Sequence, residues 1–244
     1  GGEFKPTKTS APGVEISEHM PNMAKQMHHM AILRSMSTTE ADHTRGTYKM
    51  HTGYVPSVTM QHPSFGAVTA YELGQQLKDF ELPHFISVSS PGIGSGFLGM
   101  AHAPFVVQNP GSPIQNLQPP GGLAAFRMDN RLTLQKLMDE QFLGQGRGLA
   151  AKDHKEVYAK TVRMMNSKRL DAFKLDSEDK KTKERYGENN FGRGCLMARR
   201  LVETGVTFVE VGLGGWDTHQ RTFEAHKTRL QPELDKGMAG LVQD

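Results

Sequence analysis

The sequence predicts an α/β fold built on a mainly parallel sheet. Short apolar runs that read as strands lie at 31–36, 84–90, 103–108 and 206–213. Stretches with apolar residues at helical spacing lie around them, at 44–51, 67–80, 130–142, 150–174, 189–204 and 219–243. Strands alternating with helices point to parallel crossovers rather than to a run of hairpins. The 244 residues are 36% hydrophobic, with 26 Gly and 13 Pro and a mean hydropathy of −0.52. A sizeable core is affordable at this length, but much of the chain must be loop.

Taken in order, residues 1–18 are polar with interspersed Pro and Gly, an extended lead-in. From His19 the apolar positions Met20, Met23, Met27 and Met30 recur at helical spacing. Methionine fills irregular gaps, so this stripe reads as core rather than as metal ligands. His28 and His29 are neighbours on that helix, pointing ~100° apart, which is poor geometry for sharing one ion. The strand Ala31-Ile32-Leu33-Arg34-Ser35-Met36 leads through a polar turn to Asp42, a good N-cap for a helix over 44–51. After 67–80 comes His84-Phe85-Ile86-Ser87-Val88-Ser89-Ser90, a strand, and then Gly94-Ser95-Gly96-Phe97-Leu98-Gly99. That run formally matches the dinucleotide-binding glycine pattern. Ala103-Pro104-Phe105 breaks any following helix, however, and Gln118-Pro119-Pro120 stands where the ribose-binding acid belongs. A glycine-rich loop bordering a pocket is the better reading.

Residues 109–122 read as a rigid exposed loop. Residues 176–190 carry dense charge of both signs and read as a solvated helix end or surface loop. Cys195 has no basic neighbour and reads as an inert buried thiol on the 189–204 helix. The run Val206-Thr207-Phe208-Val209-Glu210-Val211 has the character of a buried central strand and is expected beside 31–36. The final amphipathic stretch reaches Asp244, and both chain ends read as those of a fragment.

The bulk numbers exclude some functions. A net charge of +3 without Lys/Arg blocks gives no footprint for nucleic acid. No apolar run is long enough for a membrane-spanning helix. One cysteine allows no internal disulfide. Oligomeric state is not legible.

Two segments carry chemistry. His43, Thr44 and Arg45 sit at a predicted helix start, where free N–H groups and a guanidinium suit an oxyanion. Asp217 and His219 follow the 206–213 strand, and in extended geometry i and i+2 point the same way. A carboxylate with an imidazole suits zinc, manganese or iron. Trp216 would wall such a site. Glu210, on a buried strand, needs a partner, either a metal or a cation. His43 and Arg45 are expected to face the same cavity as Asp217.

Asp42-His43-Thr44-Arg45-Gly46-Thr47-Tyr48, Met50-His51-Thr52-Gly53-Tyr54, Ser95-Gly96-Phe97-Leu98-Gly99 and Gly215-Trp216-Asp217-Thr218-His219 resemble an uncharacterised bacterial family, DUF1501, of the alkaline phosphatase and sulfatase superfamily. The resemblance covers essentially the whole chain. It implies a three-layer α/β/α sandwich and one domain over 1–244, truncated at both ends. It also implies a periplasmic or secreted location. The implied function is metal-dependent hydrolysis of phosphate or sulfate esters, with a small anionic ester as substrate. The alternative is a degenerate member that binds a ligand or partner without turnover. Counting back from Thr52-Gly53 puts His43 in the superfamily's nucleophile register, with Thr44 one residue off and Arg45 holding the oxyanion. Asp217 and His219 would be ligands of one divalent ion, zinc foremost, although alkaline phosphatases use a wider Asp-x-x-x-His spacing. Further ligands are expected before Gly1 and after Asp244. The full-length protein should therefore hold metal more tightly than residues 1–244 alone.

Overall fold

The computed structural model describes residues 2–77, 79–114, 117, 125–144 and 149–244. Part of the loop expected over 109–122, including Gln118-Pro119-Pro120, lies outside the described residues. The elements run β1 (Pro6–Lys8), β2 (Glu15–Ser17), α1 (Pro21–Gln26), α2 (His43–Thr52), α3 (Phe65–Gly74), β3 (Phe85–Val88), β4 (Phe105–Val107), α4 (Ala125–Gly144), α5 (Leu149–Met165), α6 (Lys180–Tyr186), α7 (Asn190–Thr204), β5 (Phe208–Val211), α8 (Thr222–Ala225) and α9 (Gln231–Gln243). Short 3-10 turns follow α1 and α5, and a π-helical turn over His226–Leu230 joins α8 to α9.

The chain is α/β, with a three-stranded sheet in the order β4-β3-β5 and both pairings parallel. β3 is buried along its whole length, and its side chains alternate between two faces. Ile86 and Val88 join Met197 and Leu201 of α7, with Val107, Met164 and Phe173, in the largest core cluster. Phe85 points to the other face and packs on Ala67 and Ala70 of α3. A second cluster is built on Tyr186, Phe191, Cys195 and Leu196, with Leu234, Met238 and Leu241 of α9 against it.

Local chemistry starts and stops the helices. Asp42 Oδ1 accepts the Arg45 N–H at 2.9 Å, and Gly53, at φ 79°, ends α2 in the left-handed conformation. Asn189 Oδ1 accepts the Gly192 N–H at 2.8 Å, and α7 closes on Gly205 at φ 110°.

Several expectations are corrected. Residues 31–36 form no strand and lie exposed, with Leu33 at 76%. Apolar composition does not make a strand without a ladder partner; Arg34 Nη2 anchors this run by donating to the Glu15 carbonyl at 2.8 Å. Among the described residues β5 is therefore an edge strand beside β3, not a central strand beside 31–36. The lead-in holds an antiparallel β1–β2 pair, Pro6 opposite Ser17 and Lys8 opposite Glu15, too short to leave a periodic signal. The 150–174 stretch breaks after Met165, where Ser167 caps a 3-10 turn through Arg169 N–H. The 67–80 helix stops at Gly74, and 219–243 is interrupted by the π turn. The charged 176–190 segment contains α6, capped by Asp179.

Cys195 is buried, and burial pushes its thiol up to about 12. Only a thiolate attacks an alkylating agent. Iodoacetamide at pH 8 is expected to leave Cys195 unmodified in the folded chain and to label it fully in denaturant. Rapid labelling of folded protein by mass spectrometry would contradict this packing.

Candidate functional site

In parallel α/β sheets the loops leaving the carboxyl ends of the strands form the ligand crevice. β3 and β5 run side by side, so Ser89-Ser90 and the segment from Gly212 to His219 leave from one edge. Gly212 permits that closeness, since a Cβ there would lie 2.8 Å from the Ser89 carbonyl oxygen and from Ser90 Cβ. Ser89 itself has φ 56°, a strained value for a non-glycine residue. Its buried Oγ has no hydrogen-bond partner among the described residues. Strain and an orphaned hydroxyl at a strand's carboxyl end are features of binding sites more than of scaffolds.

Glu210 finds its partners at this edge. Ser90 Oγ donates to its Oε1 at 2.9 Å, and His51 Nε2 lies 3.5 Å from its Oε2. The Thr47 carbonyl can only accept, so its 2.9 Å contact with His51 Nδ1 puts a proton on that nitrogen. His51 thus presents Nε2 to the carboxylate, the orientation seen when an imidazole is held for ligation or proton transfer. The contact ties α2 to β5.

A second group lies further out. His43, the first residue of α2, brings Nε2 to 3.0 Å from Asp217 Oδ2. His219 brings its Nε2 to 3.0 Å from the same oxygen. The imidazoles are 83% and 81% exposed and the carboxylate 54%, so water and solutes reach all three. Trp216 stands beside Asp217, edge-on to His226 with ring centres 5.4 Å apart. The Arg229 guanidinium, on the π turn, lies against Gly215, whose φ of 92° and missing Cβ make room for it.

Arg45 is elsewhere. Its Nε donates to Glu40 Oε2 at 2.6 Å and its Nη2 to Oε1 at 3.2 Å. The hydrogen bond and charge of Glu40 raise the Arg45 pKa. The structure thus brings His43 to Asp217 but turns Arg45 away to a neighbouring carboxylate, against the expectation that both face one cavity. A fork-shaped cation one turn into a helix takes the nearest carboxylate that fits it. Thr44 is exposed. The helix start is also partly committed, since Asp42 already takes the Arg45 N–H.

The glycine-rich loop packs closely rather than cradling phosphate. Phe97 N–H donates to the Gln61 carbonyl at 3.1 Å, and Ser64 N–H to the Gly94 carbonyl at 3.2 Å. Gly94 and Gly96 border a cavity of about 230 Å³ shared with Tyr48 and His62. The Tyr48 hydroxyl accepts the His62 N–H at 2.6 Å and pins α2 to the segment leading into α3, whose Gln61 carbonyl holds the loop.

Sequence reasoning missed Glu40, His51, Ser90 and Arg229. His51 stood within a quoted motif and Glu210 was known to lack a partner, but nothing local joins them. Among the described residues, no group of three or more His, Cys, Asp and Glu side chains is arranged to hold a metal ion. His43 and His219 converge on Asp217's own oxygen rather than around an open point. Ligand atoms about one zinc stand ~3.3 Å apart, so the 3.0 Å spacings need a few tenths of an ångström of spreading. The donor set of two imidazoles and a carboxylate fits zinc chemically once both Nε2 protons leave.

The chain belongs to the DUF1501 family: the model of that family, described as a protein of unknown function, matches residues 1–244. No curated protein and no solved structure matches.

Proposed function

We propose that this DUF1501 chain carries part of the active face of a metal-dependent hydrolase of phosphate or sulfate esters. The reading is supported by one observation above the others. His43 and the Asp217–His219 pair, far apart in sequence, meet beside the carboxyl ends of two parallel strands. Asp217 and His219 would hold a divalent cation, zinc foremost, which supplies Lewis acidity toward an ester oxygen when bound. His43, exposed and with its Nε2 3.0 Å from Asp217 Oδ2, would move a proton at its outer nitrogen Nδ1 or attack the ester there, oriented as a base is by a neighbouring carboxylate. The kinship with alkaline phosphatases and sulfatases, the three-layer sandwich and a periplasmic or secreted location are part of the same proposal. Helices α3 and α7 on opposite faces of β3 support the sandwich.

Zinc titration and assays with aryl phosphate and aryl sulfate esters test this reading. Zinc-dependent turnover that disappears in His43→Ala supports it; its absence with every divalent metal overturns it. The alternative, a binding protein without turnover, is favoured by the lack of a formed three-ligand group among the described residues. It predicts anion or partner binding that survives chelation.

Arg45→Ala is expected to reduce turnover more than Thr44→Ala. Because Glu40 fills the Arg45 fork, Glu40→Gln separates two routes. Equal losses in Arg45→Ala and Glu40→Gln would mean that the ion pair positions the α2 start. A loss confined to Arg45→Ala, of about 10²–10³ in rate, would mean that the guanidinium leaves Glu40 for the substrate. A greater loss in Thr44→Ala would make Thr44 the nucleophile.

A further inference from the structure

A second cavity, of about 330 Å³, opens at the opposite end of the sheet. It is bounded by the segments that enter β3 and β4, by the last turn of α3 at Gly74, and by the second half of α5. Its volume lies at the lower end of the range for small-molecule sites, ~300–1,000 Å³. Much of the wall is apolar, including Phe80, Leu82, Phe105 and the two flexible side chains Met100 and Met164.

The polar groups in this wall are mainly basic. Lys160 is half-buried, and its Nζ donates to the Ala101 carbonyl at 2.8 Å. Arg163, His84 and His102 complete the set. Among the described residues His84 Nδ1, which is buried, has no hydrogen-bond partner, although its ring is well placed, stacked on Phe80 with centres 5.2 Å apart. Among the described residues Glu81 is the one carboxylate in the lining, and it is already committed to Arg169 Nε at 2.9 Å and Ser167 Oγ at 3.3 Å. Burial lowers the pKa of Lys160, and burial followed by the nearby ammonium lowers those of His84 and His102. Glu156 opposes the shift at Lys160 and His102, but burial outweighs it at both. A half-buried ammonium whose hydrogen bond goes to a neutral carbonyl is costly, and a bound anion relieves that cost.

We propose that this cavity binds a medium-chain aliphatic carboxylate, its head group against Lys160 and its chain among Phe80, Leu82, Phe105 and the methionines. A carboxylate can accept from the ammonium and from His84 Nδ1–H together, which a neutral alcohol cannot do with charge. Unbranched thioether side chains adapt to a flexible alkyl chain. The site is separate from the Asp217 group, because the two lie at opposite ends of β3.

Decanoate and decanol, titrated calorimetrically into the chain with chelator present, test the assignment. Decanoate is expected to bind at least about tenfold more tightly than decanol, the scale of a charge-assisted hydrogen bond. Lys160→Gln is expected to erase that difference, while Asp217→Asn leaves decanoate binding unchanged. The comparison of the two ligands on the unmodified chain needs no variant to fold. No heat from decanoate up to about 1 mM, equal binding of decanol, unchanged binding in Lys160→Gln, or loss of binding in Asp217→Asn would each overturn the proposal.

Discussion

Asp217→Asn is expected to lower zinc affinity and zinc-dependent ester turnover by about 100-fold or more, since losing even an outer partner of a metal ligand costs ~10–100-fold. The reason lies in one atom. Asp217 Oδ2 stands 3.0 Å from the Nε2 of both His43 and His219. An amide removes the negative charge, and in one of its two orientations presents an NH₂ group to imidazoles that need an acceptor. In the other, the amide oxygen can keep both contacts but is a far poorer ligand for a divalent ion. The fold should be indifferent: the side chain is about half exposed, and such surface changes stay within ~0.5 kcal/mol. Unchanged Tm together with lost zinc binding is therefore the expected pair of results. Zinc binding at full strength in Asp217→Asn would remove this residue from the ligand set.

The parts of this site that were legible in the sequence are those with local causes. Asp42 as the cap that starts α2 follows from chemistry within a few residues. The Asp217–His219 pair follows from two-residue spacing, and its 3.0 Å contact is local too. β3 and β5 announced themselves by branched and aromatic residues because burial selects those side chains wherever a parallel ladder forms. Residues 31–36 have similar apolarity but no ladder, and pairing is a property of two segments, not of one. The same limit hid the inner group. Ser90 and Glu210 are 120 positions apart, and His51 reaches Glu210 from a separate helix, which Tyr48 ties to the His62 backbone. Arg45 misled for a subtler reason. Its place on the helix was readable, but the direction of a long flexible side chain is decided by the nearest matching carboxylate, here Glu40.

Gly192→Ala is expected to destabilise the protein, while Gly46→Ala is expected to stabilise it, although both glycines lie in helices. Propensity alone favours alanine at each by ~1 kcal/mol. Around Gly46 nothing lies within 4 Å of an added Cβ, so that gain should appear almost whole, as ~0.5–1 kcal/mol. At Gly192, in the first turn of α7, an added Cβ would run into the backbone carbonyl oxygens of Tyr186 and Gly187. Those atoms cannot rotate away as a side chain can. Tyr186 is fully buried against Gly240 and Phe191, so its backbone cannot retreat without opening the cluster under α9. Overpacking of this kind costs ~1–3 kcal/mol and sometimes more. With backbone as the obstacle, the upper end applies, leaving a net loss of ~2 kcal/mol after the propensity gain. For a chain of this size that is a fall in Tm of roughly 4–8 °C, read against a rise for Gly46→Ala in the same thermal or urea melts. If both variants shift in the same direction, the close approach of α6 to the start of α7 is wrong, and with it the packing that carries β5 and the Asp217 loop.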